Sequence, residues 1–134
     1  MTGLVLKLSP KERLLINGAV IENGARRSRI SVVTPRANIL RLKDAMHPSD
    51  AKTPLRRVCY IAQLVLSGDI SAEEARPQIS SGIHQLKLVL TGAPCIETLD
   101  HAHSAAASHQ YYHCLKYLRR LIPIEDALIT GCPL

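Results

Sequence analysis

The chain has 134 residues, 46% of them apolar, with no Phe, no Trp and four Tyr, so its core must be built from Leu, Ile, Val and Ala, and wholesale disorder is excluded. Its net charge of +6 is lopsided: residues 1–60 hold twelve Lys/Arg against four Asp/Glu, a net +8, whereas residues 61–134 hold five against seven, a net −2. No run approaches the ~20 apolar residues of a bilayer span, and Lys7 interrupts the N-terminal apolar stretch too early for an export signal, so no membrane and a cytoplasmic location are expected.

Leu4, Leu6 and Leu8 alternate with Val5 and Lys7, the period of a strand with one buried face. Ser9-Pro10-Lys11-Glu12 reads as a turn, and a second strand over residues 13–16 ends at Asn17-Gly18, a strong hairpin signal because both positions need positive φ. Ala19-Val20-Ile21 returns, and Asn23-Gly24 predicts a second turn of the same chemistry. Residues 29–33 and 39–42 complete an antiparallel meander of about five short strands, interrupted by Thr34-Pro35-Arg36.

After His47-Pro48-Ser49-Asp50 the period changes to that of helices. Thr53-Pro54 opens the first, with Leu55, Val58, Cys59, Ala62, Val65 and Leu66 inward and Gly68 as its stop. Ser71-Ala72-Glu73-Glu74 is a capping box for a second helix, which Pro77 and Gly82 should kink or make irregular; Ile83, Leu86, Val89 and Leu90 form its later stripe. Thr91-Gly92-Ala93-Pro94 predicts a break, and Ile96, Leu99, Ala102 and Ala106 start a third helix. A fourth begins near His109, with Tyr112, Leu115, Leu118 and Ile122 inward, Lys116, Arg119 and Arg120 outward, and Pro123 as a kink or end. The expectation is an α+β protein: a basic β region, 1–46, packed as one compact unit with a bundle of about four helices, 47–134.

No nucleophile elbow, glycine-rich phosphate loop or recognisable carboxylate pair is present, so an enzyme is not expected; Glu73-Glu74 and Glu125-Asp126 read as helix-end charges. His101-x-His103, His109 and His113-Cys114 make the nearest approach to a metal motif, with His109 and His113 spaced to share a helix face. No H-E-x-x-H accompanies them, and neither metal nor cofactor is expected. Cys59, Cys95, Cys114 and Cys132 have no paired spacing and read as reduced thiols, Cys59 and Cys114 as buried small hydrophobes. The basic strands remain. Arg26, Arg27, Arg29, Arg36, Arg41 and Lys43 carry most of the positive excess, and Arg29 alternates with Ile30 and Val32, so basic and hydroxyl groups should share a solvent face suited to phosphates. A sheet that reads bases by aromatic stacking is excluded, because no aromatic lies in this region. Arg56 and Arg57 read as solvating the first helix.

The order of motifs resembles the FlbT family of flagellum biosynthesis repressors. L-K-L-S-P-K-E-R-L-L-I-N-G-A-V-I-E-N-G (6–24), R-R-S-R-I (26–30) and N-I-L-R-L-K-D (38–44) carry the resemblance in the strands. T-P-L-R-R-V-C-Y-I-A-Q-L (53–64) and Y-H-C-L-K-Y-L-R-R-L-I-P-I-E (112–125) carry it in the helices. The strand region is also similar to the carbon-storage-regulator family of translational repressors, through Thr34-Pro35-Arg36-Ala37 and Arg41. The FlbT resemblance implies a cytoplasmic post-transcriptional regulator, repressing or activating, associated with the 5′ untranslated leader of flagellin messenger RNA; the six cations named above, read from the charge pattern, are the surface expected to bind it. A second reading is an adaptor or chaperone-like factor for flagellin, an export partner or another flagellar regulatory protein, using an apolar helical surface around 83–90 and 111–118. Exposed edges of short strands also leave room for a homo-oligomer.

Overall fold

A computed structural model describes residues 4–35 and 37–131, and in it five antiparallel strands precede a set of helices. The strands are β1 (Leu4–Leu8), β2 (Arg13–Ile16), β3 (Ala19–Glu22), β4 (Ser28–Val32) and β5 (Ile39–Arg41). They form two sheets: β1 pairs with β4, and β2 lies between β3 and β5. The β2–β3 hairpin closes as its sequence requires, with Asn17 at φ 49° and Gly18 at φ 85° between the paired Ile16 and Ala19.

Asn23-Gly24 does not form the predicted positive-φ turn. Asn23 N–H donates to the Glu12 carbonyl at 2.8 Å and Lys11 N–H to the Gly24 carbonyl at 2.9 Å, so the chain runs on beside β2 after β3 ends. The turn is held by the Asn23 side chain, whose amide donates to the Ser9 carbonyl at 2.7 Å and the Arg26 carbonyl at 3.0 Å while its oxygen accepts from Ser28 Oγ at 2.7 Å. That side chain ties the start of β4 to the end of β1. Leu8 then pairs with Ser28, and β1 zips to β4 rather than to its sequence neighbour β2.

Two apolar clusters account for the layering. Leu6 and Leu8 of β1, Leu14 of β2 and Ile39 of β5 are buried together, with Leu4, Ile16, Ile30 and Val32 packed around them. Leu15 and Leu40, on the opposite side of the β2–β5 pair, join the helical core instead. The β2–β5 pair is therefore covered on both faces, by the outer β1–β4 sheet and by helices, while β3 stays exposed along its length. Uninterrupted Leu14-Leu15-Ile16 is the matching sequence pattern.

The helices are α1 (Pro54–Ser67), α2 (Ala72–Lys87), α3 (Ala93–Ala107), α4 (Tyr111–Arg119) and α5 (Ile122–Thr130), preceded by 3-10 turns at Leu42–Asp44 and Pro48–Asp50. Thr53 and Ser71 cap α1 and α2 by accepting from the N–H groups of Arg56 and Glu74. Gly68, at φ 85°, ends α1 in the left-handed region. Pro94 and Pro123 each stand in the first turn of a helix, where a missing N–H costs nothing, so they begin α3 and α5 instead of breaking a preceding helix. Pro77 lies inside α2. Gly82 has a packing explanation: a Cβ there would fall 2.4 Å from Val58 Cγ2, so its absence lets α2 approach α1 closely.

Glu125, expected as a helix-end charge of its own helix, is buried and serves another. Its carboxylate accepts from Thr53 Oγ1 at 2.5 Å and from the Leu55 N–H at 2.8 Å, at the positive end of α1. Arg56, read as a solvating residue, forks onto Asp126 with N···O distances of 2.6 and 3.1 Å. Together these contacts clamp α5 to the start of α1. Cys59, Cys95 and Cys114 are buried free thiols, and burial pushes Cys59 and Cys114 up to about 12, which keeps both in the unreactive thiol form. Cys132 lies outside the described residues. No helix among the described residues is long and apolar enough to cross a membrane.

Candidate functional site

The outer sheet presents the basic surface. In the β1–β4 register Lys7 stands directly opposite Arg29 and Val5 opposite Ser31; all four are exposed, while Leu6, Leu8, Ile30 and Val32 point inward. Two like charges across a strand pair repel and destabilise it. Arg26 and Arg27 are exposed in the turn leading into β4, held there by the Asn23 bond to the Arg26 carbonyl. None of Lys7, Arg26, Arg27 or Arg29 makes an ion pair with a described residue, in contrast to Arg13, which pairs with Glu22 at 2.8 Å on the neighbouring hairpin. The patch is a set of guanidinium and ammonium groups open to water, beside the Ser31 hydroxyl and with no anionic partner among the described residues. Such groups can bind successive phosphates.

Arg41 does not belong to that patch. Its guanidinium forks onto the Glu12 carboxylate, Nε to Oε2 at 2.6 Å and Nη2 to Oε1 at 2.8 Å, and also donates to the Lys7 carbonyl at 2.6 Å. The Arg41 side chain is 14% exposed and that of Glu12 4%. Arg41 holds the Glu12 carboxyl down at about 2, helped by the Ser9 N–H, against the cost of burial. Ranked with the exposed cations on sequence, Arg41 instead ties β5 to β1 and to the Ser9–Glu12 turn. Arg36 lies outside the described residues.

Lys43 sits elsewhere again, where the strands meet the helices. An open cavity of about 540 Å³ is lined there by Lys43, Lys52, Arg56, Arg119, Asp44 and Asp50, among others. Next to it a smaller cleft of about 290 Å³ is walled by Ile39, Leu40, Tyr112, Leu115, Lys116 and Arg120, and the two share Asp44 and Arg119. Arg119 Nη1 donates to the Asp44 carbonyl at 2.8 Å, so their common wall is fixed. The sequence reading misses Lys7 and this second cationic group. Lys7 is isolated among leucines, and its partnership with Arg29 depends on a register that skips two strands. Lys116, Arg119 and Arg120 are recognisably outward, but nothing in their spacing says that Arg119 shares a cavity with Lys43 while Lys116 and Arg120 line the cleft beside it.

The remaining candidates disperse. Ile83, Leu86, Leu90, Tyr111, Cys114, Leu115 and Leu118 are core, so the apolar surface expected at 83–90 and 111–118 reduces to exposed Leu88 and Val89, the latter turned outward. His109 is not helical: it has φ 58° in the turn before α4, with Nε2 3.0 Å from Arg76 Nη2. His101 stacks on Tyr117 and His103 meets Ser80, so the histidines face different partners. No group of three or more His, Cys, Asp or Glu among the described residues is placed to hold a metal ion.

The family profile described as flagellar protein FlbT matches residues 4–129, spanning both sheets, the junction cavities and nearly all of the helices. The chain is 28% identical over 123 residues to the flagellum biosynthesis repressor protein FlbT of Caulobacter vibrioides, covering 92% of this chain and 86% of that one. It is 29% identical over 126 residues to a probable flagellum biosynthesis repressor of Chelativorans sp., covering 94% and 86%. A counterpart from Caulobacter sp. strain K31 is 28% identical over 123 residues, covering 92% and 93%. No solved structure matches the chain. With the profile covering almost its full length and relatives aligned across both regions, the chain belongs to the FlbT family of flagellar proteins.

Proposed function

We propose that this protein is a non-enzymatic, cytoplasmic repressor in flagellum biogenesis that binds the 5′ untranslated leader of flagellin messenger RNA and affects its translation or decay. Its relatives' names support the repressor role. The RNA reading rests on one observation above others: Lys7 and Arg29 are paired in register across β1 and β4, both exposed, a like-charge pair with no anionic partner among the described residues. A ribose-phosphate chain would relieve it, with Arg26 and Arg27 taking adjacent phosphates. Shape and charge dominate such a surface, because the strands offer no aromatic ring.

Each neutralised phosphate of a single strand contributes about 0.7 to the slope of log affinity against log salt. Replacing Arg26, Arg27 and Arg29 by Ala should therefore weaken leader binding and lower that slope by about 2. Unchanged affinity and slope in the folded triple variant would remove the patch from consideration. The adaptor reading keeps the exposed pairs Leu88-Val89 and Leu128-Ile129 as its surface. A flagellin or other flagellar partner that stays bound to the purified protein after nuclease treatment, with no leader RNA bound by the protein itself, would favour it instead.

A further inference from the structure

We propose that the cleft between β5 and α4 seats an unpaired base of the bound RNA against Tyr112, with its flanking phosphates on Lys116 and Arg120, while Arg119 stays paired with Asp44 in the cleft wall. This rests on the RNA-binding reading above and adds what the strand patch lacks, an aromatic face for the base. The outer sheet holds cations and a hydroxyl but no aromatic ring, so a base there could meet only the guanidinium planes of its arginines. The cleft has the complementary chemistry. Ile39, Leu40 and Leu115 make an apolar floor, the half-buried Tyr112 supplies a π face, and Lys116, Arg119 and Arg120 form a cationic rim.

A nucleotide has that same division, an apolar flat ring beside an anionic phosphate. At about 290 Å³ the cleft suits one ring rather than the side of a partner helix. Lys116 Nζ stands 5.6 Å from the centre of the Tyr112 ring. A base entering there takes the ammonium's place on the ring, and Lys116 turns to the phosphate. Asp44, at the cleft edge, can only accept hydrogen bonds as a carboxylate, so it favours a base edge bearing amino or imino N–H groups. Beyond Asp44 and Arg119 the larger cavity continues with Lys43 and Lys52, a path for the next phosphates.

The test uses the full chain and a flagellin leader oligonucleotide. Loss of stacking on one base costs roughly tenfold in affinity. Tyr112→Leu should show that loss with an unchanged salt slope, and Tyr112→Phe should restore binding. Lys116→Ala with Arg120→Ala should lower the slope by about 1. Because Tyr112 also packs against both apolar clusters, a second measurement covers a variant that does not fold. The wild-type protein is photocrosslinked to the same leader carrying 4-thiouridine, and the adduct is mapped by mass spectrometry. An adduct within residues 111–120 is expected. Wild-type affinity in folded Tyr112→Leu, or adducts confined to residues 7–29, overturns the cleft and leaves the strand patch standing. A wild-type protein that binds no leader overturns both. Cleft variants that keep the RNA and lose a protein partner assign the cleft to that partner.

Discussion

Arg41→Gln separates a structural arginine from a binding one. In the native protein the Arg41 guanidinium is spent on Glu12 and the Lys7 carbonyl, and it lowers the Glu12 carboxyl from 4.5 to about 2. Taken whole, that difference corresponds to about 3 kcal/mol of stabilisation. Glu12→Gln keeps one carbonyl oxygen to accept from Arg41 or the Ser9 N–H, so about half of it, ~1.5 kcal/mol, is the expectation for that variant. Arg41→Gln leaves a carboxylate without its partner and should cost somewhat more, about 2–3 kcal/mol. The sign follows from the depressed carboxyl. Its contribution is complete above pH 4.5 and disappears as the pH falls through about 2, so the wild type should lose more stability than Arg41→Gln over that window. Urea denaturation followed by circular dichroism at pH 7, 4 and 2.5 measures both effects. An Arg41→Gln protein with the wild-type urea midpoint, but with weaker leader binding and a smaller salt slope, would refute the assignment and return Arg41 to the RNA surface.

Lys7→Glu should do the opposite of most surface changes: placed across from Arg29 it converts repulsion to attraction, raising stability by about 0.5 kcal/mol in thermal melts while weakening leader binding. A lower melting temperature would mean that the two side chains do not meet across the strands. Gly82→Ala gains about 1 kcal/mol of helix propensity but drives a methyl into Val58 Cγ2, an overpacking cost of about 1–3 kcal/mol, so a net loss is expected in urea titration. Stabilisation would show that α1 and α2 separate freely. Glu125→Gln replaces one acceptor oxygen with a donor facing Thr53 and the Leu55 N–H, and should lower stability by about 1–3 kcal/mol at neutral pH; an unchanged midpoint would mean that α5 does not hold the start of α1.

Local chemistry was legible in the sequence wherever neighbouring residues decide it. The Asn17-Gly18 hairpin, the Thr53 and Ser71 caps, the Gly68 stop and the inward stripe of α1 all stand where their residue types put them. Errors fall where a distant partner decides. Asn23-Gly24 has the composition of a tight turn, but bonds from the Asn23 side chain to the Ser9 and Arg26 carbonyls select another path. Gly82 has the composition of a helix defect, and only the approach of Val58 explains it. Of the six cations grouped in sequence, the five that are described likewise separate in space. Arg26, Arg27 and Arg29 share the outer sheet, Arg41 is paired inside, and Lys43 joins a cavity built with α1 and α4. Sequence reports a cation's presence; the pairing register decides whether a carboxylate reaches it first.

The layering explains why the two remaining basic surfaces lie where they do. With β2 and β5 covered on both faces, that pair has no solvent face left for a ligand; Leu14 and Ile39 look one way, Leu15 and Leu40 the other. The exposed β3 carries Val20 and Ile21 and pairs its Glu22 with Arg13, whereas the outward side of β1 and β4 and the junction beside β5 carry cations in excess of carboxylates. On the outer sheet the fold tolerates Lys7 against Arg29 at a stability cost, although Arg13 and Glu22, one hairpin away, show that the same kind of strand can pair opposite charges. A repulsion kept at the surface, where a single carboxylate would remove it, is most simply relieved by an anion from outside. Tyr112 packs against both apolar clusters, so a base held in the cleft would press on the joint between strands and helices. Occupancy of the cleft should then be felt in the stability of the outer sheet as well as of the bundle.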